Sequence, residues 1–385
     1  MMNDPKLNRR SATLARYGAN DLEIEELLFY NQNQFEHLQL DKIRAVPAFL
    51  SRWREYAEEA RSIGAFGSLK QRLVQLRFPI RAGISDTPEY RVATRKGEST
   101  EQMKTATGLQ LAHPERLELK IQQTEAGAVP VITADRRDFV SLIQALTKRN
   151  EPVAIPDSMG ACIIGGYNNW DRVARYRQQW LAKGGDRSAW QSEFKRLIPQ
   201  KELYQDRFIV LSRGSYSSVS ADKLGLEPDR WLELSHQIRL EHECTHYFTR
   251  RVFGSMRNNI FDELIADYQG LVSALGYYRA DWFLRFMGLE NFPEYRLGGR
   301  LENYCQSLSS GAIAILQRTI FDAATNLEEF DRNYGKQLRE DRNNTAVLLA
   351  LCDLTLEELA STAGVALLQA KIANHQHGGL TTTIS

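Results

Sequence analysis

A single long helix between Pro228 and Gly254 is the feature that most constrains the fold. Acidic residues flank Pro228, and proline and acidic side chains both favour the first turn of a helix. Apolar residues then recur at helical spacing, and Arg250 and Arg251 place positive charge where it complements the helix dipole. Gly254 is a natural stop. These signals agree on one helix over this segment.

The predicted helix carries the pattern H-E-x-x-H at residues 242–246. Because residues four apart lie on one helical face, His242 and His246 can aim two imidazole nitrogens at a single point, as a tetrahedral zinc site requires. Glu243 is rotated by about 100° from His242, too far round to be a clean ligand but close enough to touch a metal-bound water. The pattern indicates two metal ligands and a general base, Glu243. The competing interpretation is a helix that happens to carry two histidines.

A second predicted helix, Ile260–Gly270, offers a third ligand. Glu263 and Asp267 are four residues apart and share a face, and the segment between the helices is long enough to fold the second against the first. Glu263 can then complete a metal triad, and Asp267 can accept a hydrogen bond from a histidine ring. Two solvated carboxylates are the alternative, but small residues near the same face indicate close packing: Ala266, Gly270 and Ala274.

Together, HECTH at 242–246 and ELIAD at 263–267 resemble the gluzincins, the thermolysin-like metallopeptidases. The resemblance covers the chain from about Phe208 to Ala274. It implies one zinc ion bound by His242, His246 and Glu263, with Glu243 activating the water and Asp267 supporting a histidine ligand. The metzincin pattern is excluded, because Thr249 and Val252 stand where it needs glycine and histidine.

Many gluzincins use a tyrosine or histidine to stabilise the oxyanion. No histidine follows His246 until His375 and His377 in the tail, so this role cannot be assigned by pattern. Residue type and position suggest three candidates: Tyr304, Arg279 and Tyr277.

The expected fold class is mainly α (α+β), with a zincin-like helical core and a small antiparallel sheet next to the H-E-x-x-H helix. Two runs around Gly127 predict a strand pair, and residues 207–213 predict a strand. By the resemblance, Phe208–Ser212 is the candidate antiparallel edge strand before the first active-site helix. The glycines at 160, 165 and 166 lack phosphate-loop spacing and indicate turns.

Three regions are predicted along the chain. Residues 1–115 form a helical region whose last part, 81–115, is irregular; residues 116–290 form the zincin-like catalytic region. Residues 291–385 form a helical region with a frayed tail that starts at Ala373. From Pro228 to about Lys371, almost the whole chain is expected to be helical.

Composition and charge argue against several classes of function. The formal net charge is +1, and no basic patch stands out, so neither nucleic acid nor an anionic membrane is an expected partner. The four cysteines show no C-x-x-C spacing, no apolar run approaches the length of a membrane span, and the N-terminus lacks the apolar core of a secretory signal. A cytoplasmic protein is the expectation.

Three functions are compatible with these residues. The first is a zinc metallopeptidase that hydrolyses a peptide or protein with a metal-activated water. The second is a zinc hydrolase of a non-peptide amide, which the same centre would serve equally well. The third is a non-catalytic helical interaction protein with a vestigial metal site.

Overall fold

The computed structural model of the chain describes residues 5–376. Contacts divide it into two compact units: unit 2 is Arg44–Gly214, and unit 1 joins the preceding segment to everything from Ser215 onward. The division therefore falls at residues 43 and 214, and not near 115 and 290 as predicted. The buried ion pair of Arg10 with Glu357 shows why, since it links distant positions that local periodicity cannot relate.

The chain begins with helices of unit 1. The Asn20 side chain and the Glu23 carboxylate form a capping box at the start of the second of them. This first segment contains α1 (Pro5–Arg16), α2 (Asp21–Tyr30) and α3 (Leu40–Arg44).

Unit 2 combines six helices with four strands among its residues. Its elements are α4 (Leu50–Ile63), α5 (Ala65–Arg72), α6 (Pro88–Lys96), β1 (Glu118–Thr124), β2 (Gly127–Ala134), α7 (Arg136–Thr147), β3 (Ala161–Asn168), α8 (Trp170–Ala182), α9 (Trp190–Leu197) and β4 (Gln205–Ser212). The predicted irregular segment 81–115 is thus wrong in part, because it contains α6. That helix has its own local signals: Thr87 caps its first turn, Pro88 opens it and Gly97 ends it.

The sheet is mixed, with strand order β1-β2-β4-β3. The predicted pair around Gly127 is confirmed as the β1–β2 hairpin, but β2 and β4 run parallel, so the expectation of an antiparallel sheet is wrong. The predicted edge strand lies within β4, which is an inner strand between β2 and β3. Its residues 208–211 are fully buried, as a strand covered on both faces requires. The glycines at 165 and 166 belong to β3 rather than to turns, and Gly166 adopts its φ of 72° where the register of that strand shifts.

From Ser215 onward unit 1 is mainly helical, and its connections include a long one between Gly288 and Ser309. Its further elements are α10 (Pro228–Val252), α11 (Asn259–Leu275), α12 (Ala280–Met287), α13 (Ser310–Phe330), α14 (Lys336–Glu340), α15 (Asn344–Cys352), α16 (Leu356–Ala360) and α17 (Gly364–His375). The described chain is therefore mainly helical with a small sheet. The predicted tail is helical over 373–375, and from His377 it lies outside the described residues.

Helices α10 and α11 form the pair that matters for the site. Their contacts run in opposite order, from His246 with Asp262 to Gln237 with Ser273, so the helices are antiparallel. Gly270 permits their close approach, because a Cβ atom there would lie 2.7 Å from the Ile238 carbonyl oxygen. The predicted long helix, its neighbour and the turn between them are confirmed.

The helical prediction fails between α12 and α13. Gly288 ends α12 with a φ of 88°, and the chain then runs without α-helix until Ser310. This connection carries Arg300 and Tyr304, whose surroundings are described below. In the part of the chain that the structure describes, no helix is both long and apolar enough to cross a bilayer.

Candidate metal centre

Three potential metal ligands meet between α10 and α11. The Nε2 atoms of His242 and His246 are 3.1 Å apart. The Glu263 carboxylate places Oε2 at 3.5 Å from Nε2 of His242 and Oε1 at 3.4 Å from Nε2 of His246. Among the described residues, these three form the group of histidine and acidic side chains able to hold a metal ion. The structure therefore brings together the residues that the two sequence patterns predicted.

The separations suit a small tetrahedral cation. Zinc binds imidazole nitrogen and carboxylate oxygen at about 2.0–2.2 Å, and two tetrahedral ligands at that distance lie roughly 3.3–3.5 Å apart. The two Nε2 atoms are 3.1 Å apart, slightly less than that edge length, and their distances of 3.5 and 3.4 Å to the two different oxygens of Glu263 are close to it. The two imidazoles and one carboxylate are also the ligand types of a catalytic zinc site that keeps its fourth position open.

The charges of His246 and Glu263 are coupled. Burial alone would raise the pKa of Glu263, but the hydrogen bond to His246 and the charges of His242 and Arg300 hold it well below its ordinary range. Burial would lower the pKa of His246, yet the Glu263 carboxylate raises it to about 9. The Glu263 carboxylate and the His246 imidazole therefore stabilise each other's charged forms.

His242 is braced on the side away from the other donors. Its Nδ1 lies 2.7 Å from Oδ1 of Asp267 and 2.9 Å from the Tyr216 hydroxyl. The hydroxyl in turn donates to the same carboxylate oxygen over 2.6 Å. An imidazole whose Nδ1–H donates to a carboxylate presents the Nε2 lone pair to a metal. The contact predicted for Asp267 is present, and Tyr216 reinforces it.

Arg300 lies in the loop between α12 and α13 and contacts both groups that hold His242, Asp267 and the Tyr216 hydroxyl. Its guanidinium forms an ion pair with Asp267 and donates to the Tyr216 hydroxyl over 2.9 Å. It lies 3.6 Å from Oε2 of Glu263. Burial would raise the pKa of Asp267, but Arg300 and His242 lower it, so this carboxylate stays ionised beside the ring that it supports.

His246 has a different environment. Its buried Nδ1 has no hydrogen-bond partner in the described structure, and neither has the buried Oδ1 of Asp262. These two atoms are 3.8 Å apart. Burial raises the pKa of Asp262, against the charge of His246 and the hydrogen bond from Asn258.

Glu243 is half-buried beside the donor set. Within the described residues no group forms a hydrogen bond or ion pair with its carboxylate, although its charge contributes to the raised pKa of His246. A carboxylate near the metal donors and without a protein partner is available to a water molecule or substrate.

Of the three oxyanion candidates, one lies at the cluster. The Tyr304 hydroxyl interacts with the Glu263 carboxylate, and burial together with that carboxylate raises the pKa of Tyr304 above its ordinary value. Tyr277 is instead 52% exposed. Arg279 pairs with Asp281 and lies over the Trp282 ring. No contact in the described structure joins Tyr277 or Arg279 to the cluster.

Three residues of the site were not found from the sequence. Asp262 directly precedes Glu263, and a search for carboxylates beside the predicted ligand would have found it. Tyr216 precedes α10 and Arg300 lies well beyond α11, and neither belongs to a recognisable pattern. Only the folded chain brings them to His242 and Asp267.

No curated protein and no solved structure matches the chain. The profile of one protein family, described as a family of unknown function (DUF7005), matches residues 12–363. This match includes α10, α11 and the loop that carries Arg300, and it extends over far more than half of the 385 residues. The chain therefore belongs to the family of unknown function DUF7005.

Proposed function

We propose that this protein is a zinc-dependent hydrolase with a gluzincin-like centre, and that it cleaves peptide bonds. The observation that carries the proposal is the convergence of three donors, two from α10 and one from α11, at separations of 3.1–3.5 Å. An unpartnered carboxylate, Glu243, stands next to one of them in the chain. A helix with two incidental histidines would not need a half-buried glutamate between the rings and an Nδ1 atom held by hydrogen bonds behind one of them.

Each residue of the site has a separate role in the hydrolysis of an amide. A zinc ion bound by His242, His246 and Glu263 would lower the pKa of water and polarise the scissile carbonyl. Glu243 accepts a proton from the attacking water and later delivers it to the leaving amine. Because Glu243 has no protein partner, no existing hydrogen bond opposes that transfer.

Tyr304 is the group best situated to stabilise the developing negative charge. Its hydroxyl already lies at the Glu263 carboxylate, and its raised pKa keeps it protonated and able to donate at neutral pH. Three further residues act indirectly, through the His242 ring. Its orientation and its tautomer are fixed by Asp267, Tyr216 and Arg300.

Metal analysis is the first test. Wild-type protein purified without chelator is expected to hold about one tightly bound zinc per chain, as three protein ligands and one open position imply. His246→Ala removes one ligand and is expected to lose that zinc. Leu240→Ala, a half-buried neighbour on the same helix, serves as the control that keeps the ligand set intact. Wild-type protein without tightly bound metal would overturn the proposal.

The hydrolase must then be separated from the two alternatives. Cleavage of a peptide library that stops with a chelator and returns with zinc supports the peptidase. Zinc-dependent cleavage of small amides without peptide cleavage would replace it by the non-peptide hydrolase. Bound zinc with neither activity would favour the interaction protein with a vestigial site.

A further inference from the structure

The two histidines of the candidate metal centre are supported unequally. Asp267 and the Tyr216 hydroxyl both contact Nδ1 of His242, at 2.7 and 2.9 Å. Nδ1 of His246 is just as buried, yet it has no partner among the described residues. Metal ligation through Nε2 places the ring proton on Nδ1, and a buried N–H without an acceptor costs about 1–3 kcal/mol. An acceptor for His246 is therefore required if this ring is to serve as a ligand.

Asp262 supplies the matching unpaired atom. Its Oδ2 accepts a hydrogen bond from the backbone N–H of Asn258 over 3.2 Å. Its Oδ1 is buried and unpartnered, and lies 3.8 Å from Nδ1 of His246. This separation is about 1 Å longer than a charge-assisted N–H···O bond. One atom is a potential donor without an acceptor, and the other is an acceptor without a donor.

The Asp262 carboxylate is also held firmly enough to orient a ring. The Asn258 side chain accepts from the backbone N–H of Gln34 over 2.8 Å and donates to Asn33 over 3.3 Å. Asn33 donates to the carbonyl oxygens of Cys352 and Leu354 over 2.8 and 2.9 Å. A chain of hydrogen bonds therefore runs from the core of unit 1 to Asp262, as expected for a group that fixes a metal ligand.

We propose that Asp262 is the positioning residue for His246, accepting the Nδ1–H bond that directs Nε2 towards a metal ion. The inference rests on the proposed zinc site. Helix α11 would then supply three carboxylates with separate tasks: Glu263 binds the metal, Asp267 orients His242 and Asp262 orients His246. The H-E-x-x-H helix provides both rings, and its partner helix provides both supports.

The test measures zinc affinity by competition with a chromophoric chelator in wild-type protein, Asp262→Ala and Asp262→Asn. Loss of an outer partner of a metal ligand typically weakens metal binding about 10–100-fold, and Asp262→Ala is expected to fall in that range. Asp262→Asn keeps an oxygen acceptor without the charge, so it is expected to lose less affinity than the alanine variant. This partial rescue would not follow from a purely structural role, for which zinc affinity would be unchanged once folding is intact.

Asp138→Ala is the matched control. Asp138 is a buried aspartate of unit 2 whose oxygens accept from the backbone N–H groups of Ala112 and His113, and it takes no part in the cluster. Its loss should lower stability and leave zinc affinity unchanged. Circular dichroism and urea unfolding of the metal-free proteins identify variants that still fold, and Asp262→Asn retains the size of the side chain and one of its oxygens if the alanine variant does not fold.

The outcomes separate this inference from the proposed function. If wild-type protein binds zinc tightly and either folded Asp262 variant binds it equally well, the role of Asp262 is refuted while the zinc site stands. If wild-type protein binds no zinc, the proposed function fails and this inference fails with it.

Discussion

The two units each bury a charged network, and the networks differ in how completely they are satisfied. In unit 2, Asp206 forms an ion pair with Arg172 over 2.6 Å. It also accepts hydrogen bonds from the indole N–H of Trp53 over 2.8 Å and from Asn169 over 2.6 Å. Both oxygens of that carboxylate accept from at least one donor, and one negative charge meets one positive charge. Such an arrangement is what a structural network requires.

The cluster of unit 1 is not balanced in this way. Two carboxylates of α11, those of Glu263 and Asp267, face the guanidinium of Arg300, and a third, that of Asp262, lies 3.8 Å from Nδ1 of His246. Buried Nδ1 of His246, Oδ1 of Asp262 and Nε of Arg300 all lack partners in the described structure. Unsatisfied buried groups are costly, so their concentration at one place indicates a function that unit 2's network does not have. A bound cation would supply the missing charge.

The largest expected effect comes from Glu243→Gln. The substitution keeps size and polarity but removes the proton acceptor, so turnover should fall by about 10²–10⁴-fold while zinc content is unchanged. Chelator-sensitive hydrolysis and metal analysis on the same sample measure the two quantities. Glu233→Gln, an exposed position on the same helix, is the control and should retain full activity. Loss of zinc from the Glu243 variant, or full activity in it, would contradict the role assigned to Glu243.

Asp206→Ala tests the structural role assigned to the charged network of unit 2. Removing one partner leaves Arg172 as an uncompensated buried charge, and the free energy of unfolding should drop by about 3–5 kcal/mol. Zinc affinity of the folded fraction should not change, because Asp206 has only structural partners. Urea denaturation followed by zinc titration checks both statements. A variant that unfolds like the wild type, or that loses zinc while folded, would erase the distinction between the two networks.

The smallest expected effect is that of Tyr216→Phe. The ring still packs edge-on against Phe286, but the hydroxyl that donates to Asp267 is lost. A net hydrogen bond is worth about 0.5–1.5 kcal/mol, so zinc affinity should weaken by roughly 2–13-fold. Tyr167→Phe is the matched control: this buried tyrosine of unit 2 donates to Gln75, and its loss should leave zinc affinity intact. Equal effects of the two variants would show that the Tyr216 hydroxyl does not support the ligand.

Local elements with strong signals were predictable. Proline at the first turn, charge at the last and apolar spacing define α10, and the same kind of evidence identifies α11 and the β1–β2 hairpin. The helix α6 was missed although its capping residues are present, because its surroundings are rich in polar residues. Strand β3 was missed because its glycines indicate turns, whereas one of them serves a shift in strand register.

The pairing of the candidate metal ligands was predictable for a geometric reason. His242 and His246 are one helical turn apart, and Glu263 and Asp267 repeat that spacing, so the helix itself aligns each pair. The candidates for the oxyanion role had no such constraint. Tyr304 lies at the cluster, while Tyr277 and Arg279 do not, and no residue spacing distinguishes among them.

The sequence by itself determined two helices, the face on which each carries its polar residues, and the types of side chain at the candidate metal centre. These properties depend on periods of 3.6 residues and on caps, which act over a few positions. Only the tertiary structure decided that the two faces meet, which nitrogen points at which oxygen, and that Tyr216 and Arg300 join them. It also decided that the N-terminal helices belong with the C-terminal half of the chain. Such contacts are set by how whole helices pack, and packing depends on side chains that are far apart in sequence.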